Sequence, residues 1–208
     1  IRDIGVTGVQ TCALPIYSGF DHAVSLGLEP HVVIGDMDSI ADFDAARRRV
    51  ARTVVAPVDK DRTDTELALD HLLEVGAERV TVLWGGGDRL DHVLGVFAAL
   101  SSPSLARLER LTALMGRDVV HVVHPGRAIP IDVEPGRTIS LLPLGGHARG
   151  VCASGLRWPL DDDVLDATSA RGVSNVAIEE TIVVSTADGV VAVVLPHQAI
   201  DSTGDAGR

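Results

Sequence analysis

Two aspartates stand two residues apart in Gly35-Asp36-Met37-Asp38-Ser39, directly after the short apolar run His31 to Ile34. On an extended chain Asp36 and Asp38 point to the same side. Carboxylates held that close repel each other unless a cation sits between them. Magnesium, which takes oxygen ligands and couples readily to phosphates, is the economical partner. Taken alone, the same five residues are equally well a solvated turn with an Asp capping the helix that follows.

A second acidic cluster, Asp59-Lys60-Asp61-Arg62-Thr63-Asp64-Thr65-Glu66, follows the β-branched run Thr53 to Val58. Carboxylates interleaved with Lys60 and Arg62 suit a metal-phosphate site, the acids holding the ion and the cations meeting phosphate oxygens. By itself it is also a well-capped helix start with carboxylates placed favourably for the helix dipole. The third piece is Gly85-Gly86-Gly87-Asp88-Arg89-Leu90-Asp91-His92, after a run ending at Trp84. Its glycines allow close approach of backbone to a ligand, and the helix N-terminus behind them offers N–H groups to an anion. It is not a P-loop, since no Gly-Lys-Ser/Thr follows, and it lacks the last glycine of the dinucleotide-binding fingerprint. A plain glycine turn is its simpler reading. Arg89 could clamp phosphate and Asp91 could orient a substrate hydroxyl, while His92 reads as structural.

The elements that must position these residues alternate. A short helix runs from Ser18 to Gly27, a strand over His31 to Ile34, a helix over Asp42 to Arg52 and a strand over Thr53 to Val58. A helix capped by Thr63 or Asp64 continues through Val75 to a stop at Gly76, followed by a strand at Arg79 to Trp84 and a helix at Asp91 to Leu100. Alternation at this spacing predicts a Rossmann-like, mostly parallel α/β domain over residues 17–119, with all three motifs at the carboxyl ends of its strands. Beyond Val119, Pro-Gly pairs at Pro125 and Pro135 and the pair Gly145-Gly146 separate β-rich runs such as Thr138 to Leu142, Thr181 to Ser185 and Val190 to Leu195. Residues 120–200 therefore read as an antiparallel β-sandwich and 201–208 as a polar tail.

Composition narrows the function classes. At 208 residues and 46% hydrophobic content the chain can bury a real core, and its formal charge of −11 argues against nucleic-acid or anionic-membrane partners. Lys60 is the only lysine, so a phosphate ligand must be held by a few arginines or by metal. Cys12 and Cys152 cannot build a disulfide framework and show no metal-ligand spacing. No apolar run approaches membrane-spanning length and no charged-then-apolar leader opens the chain, so a soluble, cytoplasmic protein is expected. Residues 1–16 are set aside: Val6 to Ile16 reads VTGVQTCALPI, which is what one frame of a common sequencing adapter translates to.

The three motifs, in this order, resemble those of the thiamine pyrophosphokinase family. Its patterns GDxDS, DxDxTDxExAL and GGRxDHxL stand here as GDMDS, DKDRTDTELAL and GGGDRLDHVL. Gly155-Leu156-Arg157-Trp158-Pro159-Leu160 and Gly172-Val173-Ser174-Asn175 are similar to the family's C-terminal motifs, so the resemblance spans about Ser18 to Pro196. Three departures stand out: the extra Asp88 before Arg89, Val96 where the family often has Asn, and Tyr17 where its first strand ends in Asp. An adapter joined within that codon would convert Asp to Tyr.

The resemblance implies a catalytic α/β domain, a thiamine-binding β-sandwich, and a homodimer with thiamine at the subunit interface. It implies Mg2+ at Asp36, Asp38 and Asp64, with Lys60, Asp61, Thr63 and Arg89 near ATP. Asp91, Trp158, Ser174 and Asn175 would line the thiamine site, where a flat aromatic face suits a cationic thiazolium. The implied reaction is attack of the thiamine hydroxyl on the β-phosphorus of ATP with AMP leaving, a reaction served by positioning and charge neutralisation. The competing readings are a pyrophosphokinase for another small alcohol such as a hydroxymethylpterin, a haloacid-dehalogenase-type phosphatase disfavoured by Ile40, and a non-catalytic nucleotide or thiamine binder.

Overall fold

The computed structural model of the chain describes residues 19–35, 50, 52–55, 61–84 and 89–197. Asp36, Asp38, Lys60, Tyr17, the glycines 85–87, Asp88, most of the helix expected over 42–52, and the tail lie outside the described residues. The chain divides between Leu72 and Leu73 into two compact units.

In the first unit, helix α1 (Gly19–Ser25) precedes two parallel strands, β1 (Val32–Gly35) and β2 (Arg52–Val55), and helix α2 (Asp64–Glu74) begins there. The two-residue period of β1 divides its apolar side chains between its faces. Val33 packs with Phe20 of α1, whereas Val32 and Ile34 pack with Ala68 of α2. β1 and β2 run in register from Val32 opposite Arg52 to Gly35 opposite Val55.

The second unit carries a nine-stranded sheet in the order β3-β4-β5-β11-β7-β10-β6, with β8 and β9 also paired to β7. The strands are β3 (Arg79–Trp84), β4 (Arg110–Met115), β5 (Asp118–Val123), β6 (Ile129–Asp132), β7 (Thr138–Ser154), β8 (Leu160–Leu165), β9 (Asn175–Val176), β10 (Thr181–Ser185) and β11 (Asp188–Leu195). Helix α3 (Leu90–Leu100) and a 3-10 turn (Pro103–Arg107) connect β3 to β4, which pair in parallel. One face of this region buries Val96, Ala99 and Leu100 of α3 together with Leu105 and Leu108, and Leu111, Ala113, Val120 and Val122 of β4 and β5 are also buried. The other core joins Ile139, Leu141 and Val151 of β7 to Val191 and Val193 of β11 and Ile182 and Val184 of β10.

This corrects the expected fold class. The described residues are mostly β: a curled mixed sheet with three α-helices, and no Rossmann-like parallel domain followed by a separate sandwich. Among the described residues parallel pairing is confined to β1 with β2 and β3 with β4. After β4 the chain turns back at Gly116, whose φ of 65° lies in the left-handed region that favours glycine, and β5 takes the free edge of β4 antiparallel. This hairpin makes β3 and β4 the margin of the antiparallel sheet. Nor does Gly145-Gly146 separate two strands. β7 runs through it for 17 residues, its first part paired to β11 and its last part to β8 and β10. The irregular register around Asp188 and Val190 and around Ala148 and Val151 is what lets one strand serve both halves.

Candidate active site

The strands that precede the first two motifs in sequence end side by side. Gly35 and Val55 are register partners at the carboxyl ends of two parallel strands, the end at which open α/β sheets bind ligands. The second motif re-enters the described residues at Asp61, which is exposed. Thr63 and Glu66 then form a reciprocal cap on α2. The Thr63 N–H and hydroxyl donate to Glu66 Oε2 at 2.7 and 2.8 Å, and the Glu66 N–H donates to Thr63 Oγ1 at 3.3 Å. The cap occupies the Thr63 side chain and sets the helix direction. Asp64 follows in the first turn with 1% of its surface exposed, and Arg62 pairs with Asp70 at 2.6 Å one face along.

Among the described residues no three His, Cys, Asp or Glu side chains gather where a metal ion could sit. The donor chemistry nevertheless fits magnesium. Asp64 is a carboxylate at the start of a helix packed on β1, and β1 leads directly to Asp36 and Asp38. An all-carboxylate oxygen set is what a hard divalent cation prefers.

In the second unit, Arg89 occupies the position before α3 in extended conformation and Asp91 lies in the first turn. Arg89 Nε donates to Asp91 Oδ1 at 3.2 Å and Nη2 donates to Oδ2 at 2.6 Å, a two-pronged pair. The pair is largely exposed. The Arg89 hydrogen bonds lower the Asp91 carboxyl to about 2. Asp91 is thus fully ionised at neutral pH, an acceptor able to orient a hydroxyl and too weak a base to strip one unaided.

Of the four residues expected to line the thiamine site, Trp158, Ser174 and Asn175 lie together, and Asp91 is placed with Arg89. Asn175 is buried at the start of β9, while the Trp158 side chain is 56% exposed. Asn175 Oδ1 accepts from the Trp158 N–H at 3.2 Å and from the Val176 N–H at 2.8 Å, and its Nδ2 donates to the Trp158 carbonyl at 2.7 Å. Both ends of the amide are therefore engaged in holding the Trp158 backbone, so Asn175 is a positioning residue. Ser174 sits beside it in a left-handed conformation, φ 60°, with its N–H donated to Ser140 Oγ of β7 at 3.1 Å. The loop is pinned further by the Leu141 N–H, which donates to the Gly172 carbonyl at 2.8 Å.

Sequence reasoning missed Ser140, Gly172 and Arg157 as parts of this arrangement. Arg157 Cζ lies 5.7 Å from the centroid of the Trp158 ring. A cation directly before an aromatic in the quoted motif was the available signal. Asp36, Asp38 and Lys60 lie outside the described residues.

Comparison with known proteins settles the kinship. The family model described as "Thiamin pyrophosphokinase, catalytic domain" matches residues 10–109, and that described as "Thiamin pyrophosphokinase, vitamin B1 binding domain" matches residues 127–191. The chain belongs to the thiamine pyrophosphokinase family. A thiamine pyrophosphokinase of Bacillus subtilis (strain 168) is 26% identical over 190 residues, covering 89% of this chain and 87% of the relative. Thiamine pyrophosphokinase 1 of Oryza sativa subsp. japonica is 28% identical over 172 residues, covering 76% of this chain and 63% of the plant protein. The crystal structure of a Bacillus subtilis thiamine pyrophosphokinase superposes with a TM-score of 0.75 at 24% identity, covering 93% of this chain and 91% of that one. The fold described above is therefore the thiamine pyrophosphokinase fold, curled β-sheet included. The Arg89–Asp91 pair falls within the catalytic-domain match, and Trp158, Ser174 and Asn175 fall within the vitamin B1 match.

Proposed function

We infer that the chain is a thiamine diphosphokinase, transferring the diphosphate of ATP to the hydroxyl of thiamine and releasing AMP. The observation that carries this reading is that the catalytic and vitamin B1 binding models of one family match the two parts of the chain in order. The pinned, exposed Trp158 in the second part supports it as a platform for a flat cationic ring.

In the reaction the thiamine hydroxyl oxygen bonds to the β-phosphorus and the bond from that phosphorus to the α,β-bridging oxygen breaks, so AMP takes the electron pair. Asp91 accepts the hydrogen bond of the attacking hydroxyl and fixes its direction. Arg89, already forked onto Asp91, would meet the growing negative charge, and solvent takes the proton. Lys60, Asp61 and the α2 start shaped by Thr63 serve the ATP end. Asp36, Asp38 and Asp64 would hold magnesium, which supplies charge neutralisation on the phosphates when bound. Trp158 carries the thiamine ring, Asn175 holds Trp158 in place, and Ser174 borders the site. A homodimer with thiamine between subunits, in a reducing cytoplasm, belongs to the same reading.

The test is AMP formation from ATP and magnesium with thiamine present and absent. One AMP per thiamine diphosphate is expected. Phosphate release without AMP, or AMP formed with a hydroxymethylpterin and not with thiamine, overturns the assignment.

A further inference from the structure

Arg157 and Trp158 combine two recognition elements in adjacent residues. The Arg157 backbone is fixed by its N–H bond to the Val176 carbonyl at 2.8 Å, and that of Trp158 by Asn175. The guanidinium lies over the indole, 5.7 Å from its centroid, and both side chains are exposed. Among the described residues Arg157 has no carboxylate partner. A guanidinium resting on a ring still offers the edge of its N–H fork outward, where it matches two phosphate oxygens.

Such a pair does not treat substrate and product alike. Thiamine brings a cationic ring to an indole that already carries a positive charge over its ring. Thiamine diphosphate brings the same ring with a doubly phosphorylated arm, whose oxygens are what an unpaired guanidinium selects. We propose that Arg157 is a specificity-determining residue that discriminates between the two ligands, weakening the hold on cationic thiamine and strengthening the hold on its diphosphate ester. This rests on Trp158 being the thiamine platform. Arg157 then sets how strongly the enzyme is inhibited by its own product, and the preference weakens with salt because the pair is exposed.

The experiment compares wild type, Arg157→Gln and Arg157→Lys by the dissociation constants of thiamine and of thiamine diphosphate, with the KM of ATP and a thermal melt as controls. Arg157→Gln is expected to weaken thiamine diphosphate about tenfold, the size of one lost charge-assisted contact, while thiamine binds as well or up to about threefold tighter. Arg157→Lys should fall between, since an ammonium keeps the charge and loses the fork. The ATP KM and the melt should not move. Equal weakening of both ligands, or an unchanged ratio of the two constants in an active enzyme, overturns the proposal and leaves the catalytic assignment standing. Failure of wild type to bind either ligand brings down both together.

Discussion

Asn175 holds Trp158 by both of its backbone polar groups, accepting from the N–H at 3.2 Å and donating to the carbonyl at 2.7 Å across a separation of 17 residues. The start of β9 is thereby tied to the bend between β7 and β8 that presents the tryptophan. Removing the amide leaves three backbone groups, the N–H and carbonyl of Trp158 and the N–H of Val176, to find new partners. Asn175→Ala is expected to cost about 2 kcal/mol in denaturant unfolding. It should also raise the KM for thiamine while leaving that for ATP in place. Equal changes in both KM values would show that the loop does not act through Trp158.

Gly172 sits against the backbone of β7 so closely that a Cβ there would collide with the Leu141 carbonyl oxygen. That neighbour is sheet backbone and cannot swing aside, and the Leu141 N–H is bonded to the Gly172 carbonyl. Gly172→Ala is therefore expected to destabilise the chain by about 3 kcal/mol, in the range of overpacked buried sites. A thermal melt of the variant checks this, and an unchanged midpoint would mean that the loop is free to lift away.

Asp91 stays ionised until about pH 2 because Arg89 binds its charged form. A depressed carboxyl of this kind adds stability above the unfolded-state value and loses it as pH falls through the folded one. Any acid limb of the rate profile near neutrality must belong to another group. Arg89→Met is expected to return the Asp91 carboxyl towards its ordinary value of 3.8, read by carbon NMR of the carboxyl signal. Activity should fall at least about tenfold, since a transition-state charge partner goes with it. A midpoint that stays near 2 would assign the depression to something other than Arg89.

His121 lies opposite Thr112 in the β4–β5 ladder, with its ring Nδ1 3.2 Å from Thr112 Oγ1. Burial first, then the charge of Arg110, lower its imidazole from 6.5 to about 4. His124, buried and hydrogen-bonded through Nε2 to the Leu100 carbonyl at 3.1 Å, is lowered by burial as well. The unfolded chain binds these protons below about pH 6.5 and the folded one does not until near 4 for His121. Stability from this source is complete above 6.5 and declines as pH falls between those values. Urea midpoints at pH 7, 6 and 5 should drop in wild type and drop less in His121→Gln, and parallel declines would remove His121 as the cause.

Local chemistry was legible in the sequence. The runs at β1, β3, β10 and β11, the helix from Asp64 to its stop at Gly76, and the helix from Asp91 to Leu100 follow from apolar period, caps and glycines, which act within one or two turns of the chain. The ordered aspartates and the tryptophan motif named the family for the same reason, since each block is contiguous.

What remained for tertiary structure was partnership. Alternation fixes which side chains share a face of a strand and says nothing of the direction of the strand beside it. The turn at Gly116 therefore decided that β4 takes an antiparallel neighbour, and with it that the fold is a curled β-sheet and no parallel α/β domain. Gly145-Gly146 read as a break, yet hydrogen bonds to β11 on one side and to β8 and β10 further along carry β7 through it. Asn175 stood in the motif as a residue of the thiamine site, and only the structure shows that both ends of its amide bond the Trp158 backbone. Residue types and their spacing determined which chemistry the chain can perform. Contacts between segments far apart in sequence decided which residues hold the others in place, because a hydrogen bond across a loop leaves no period in the sequence to read.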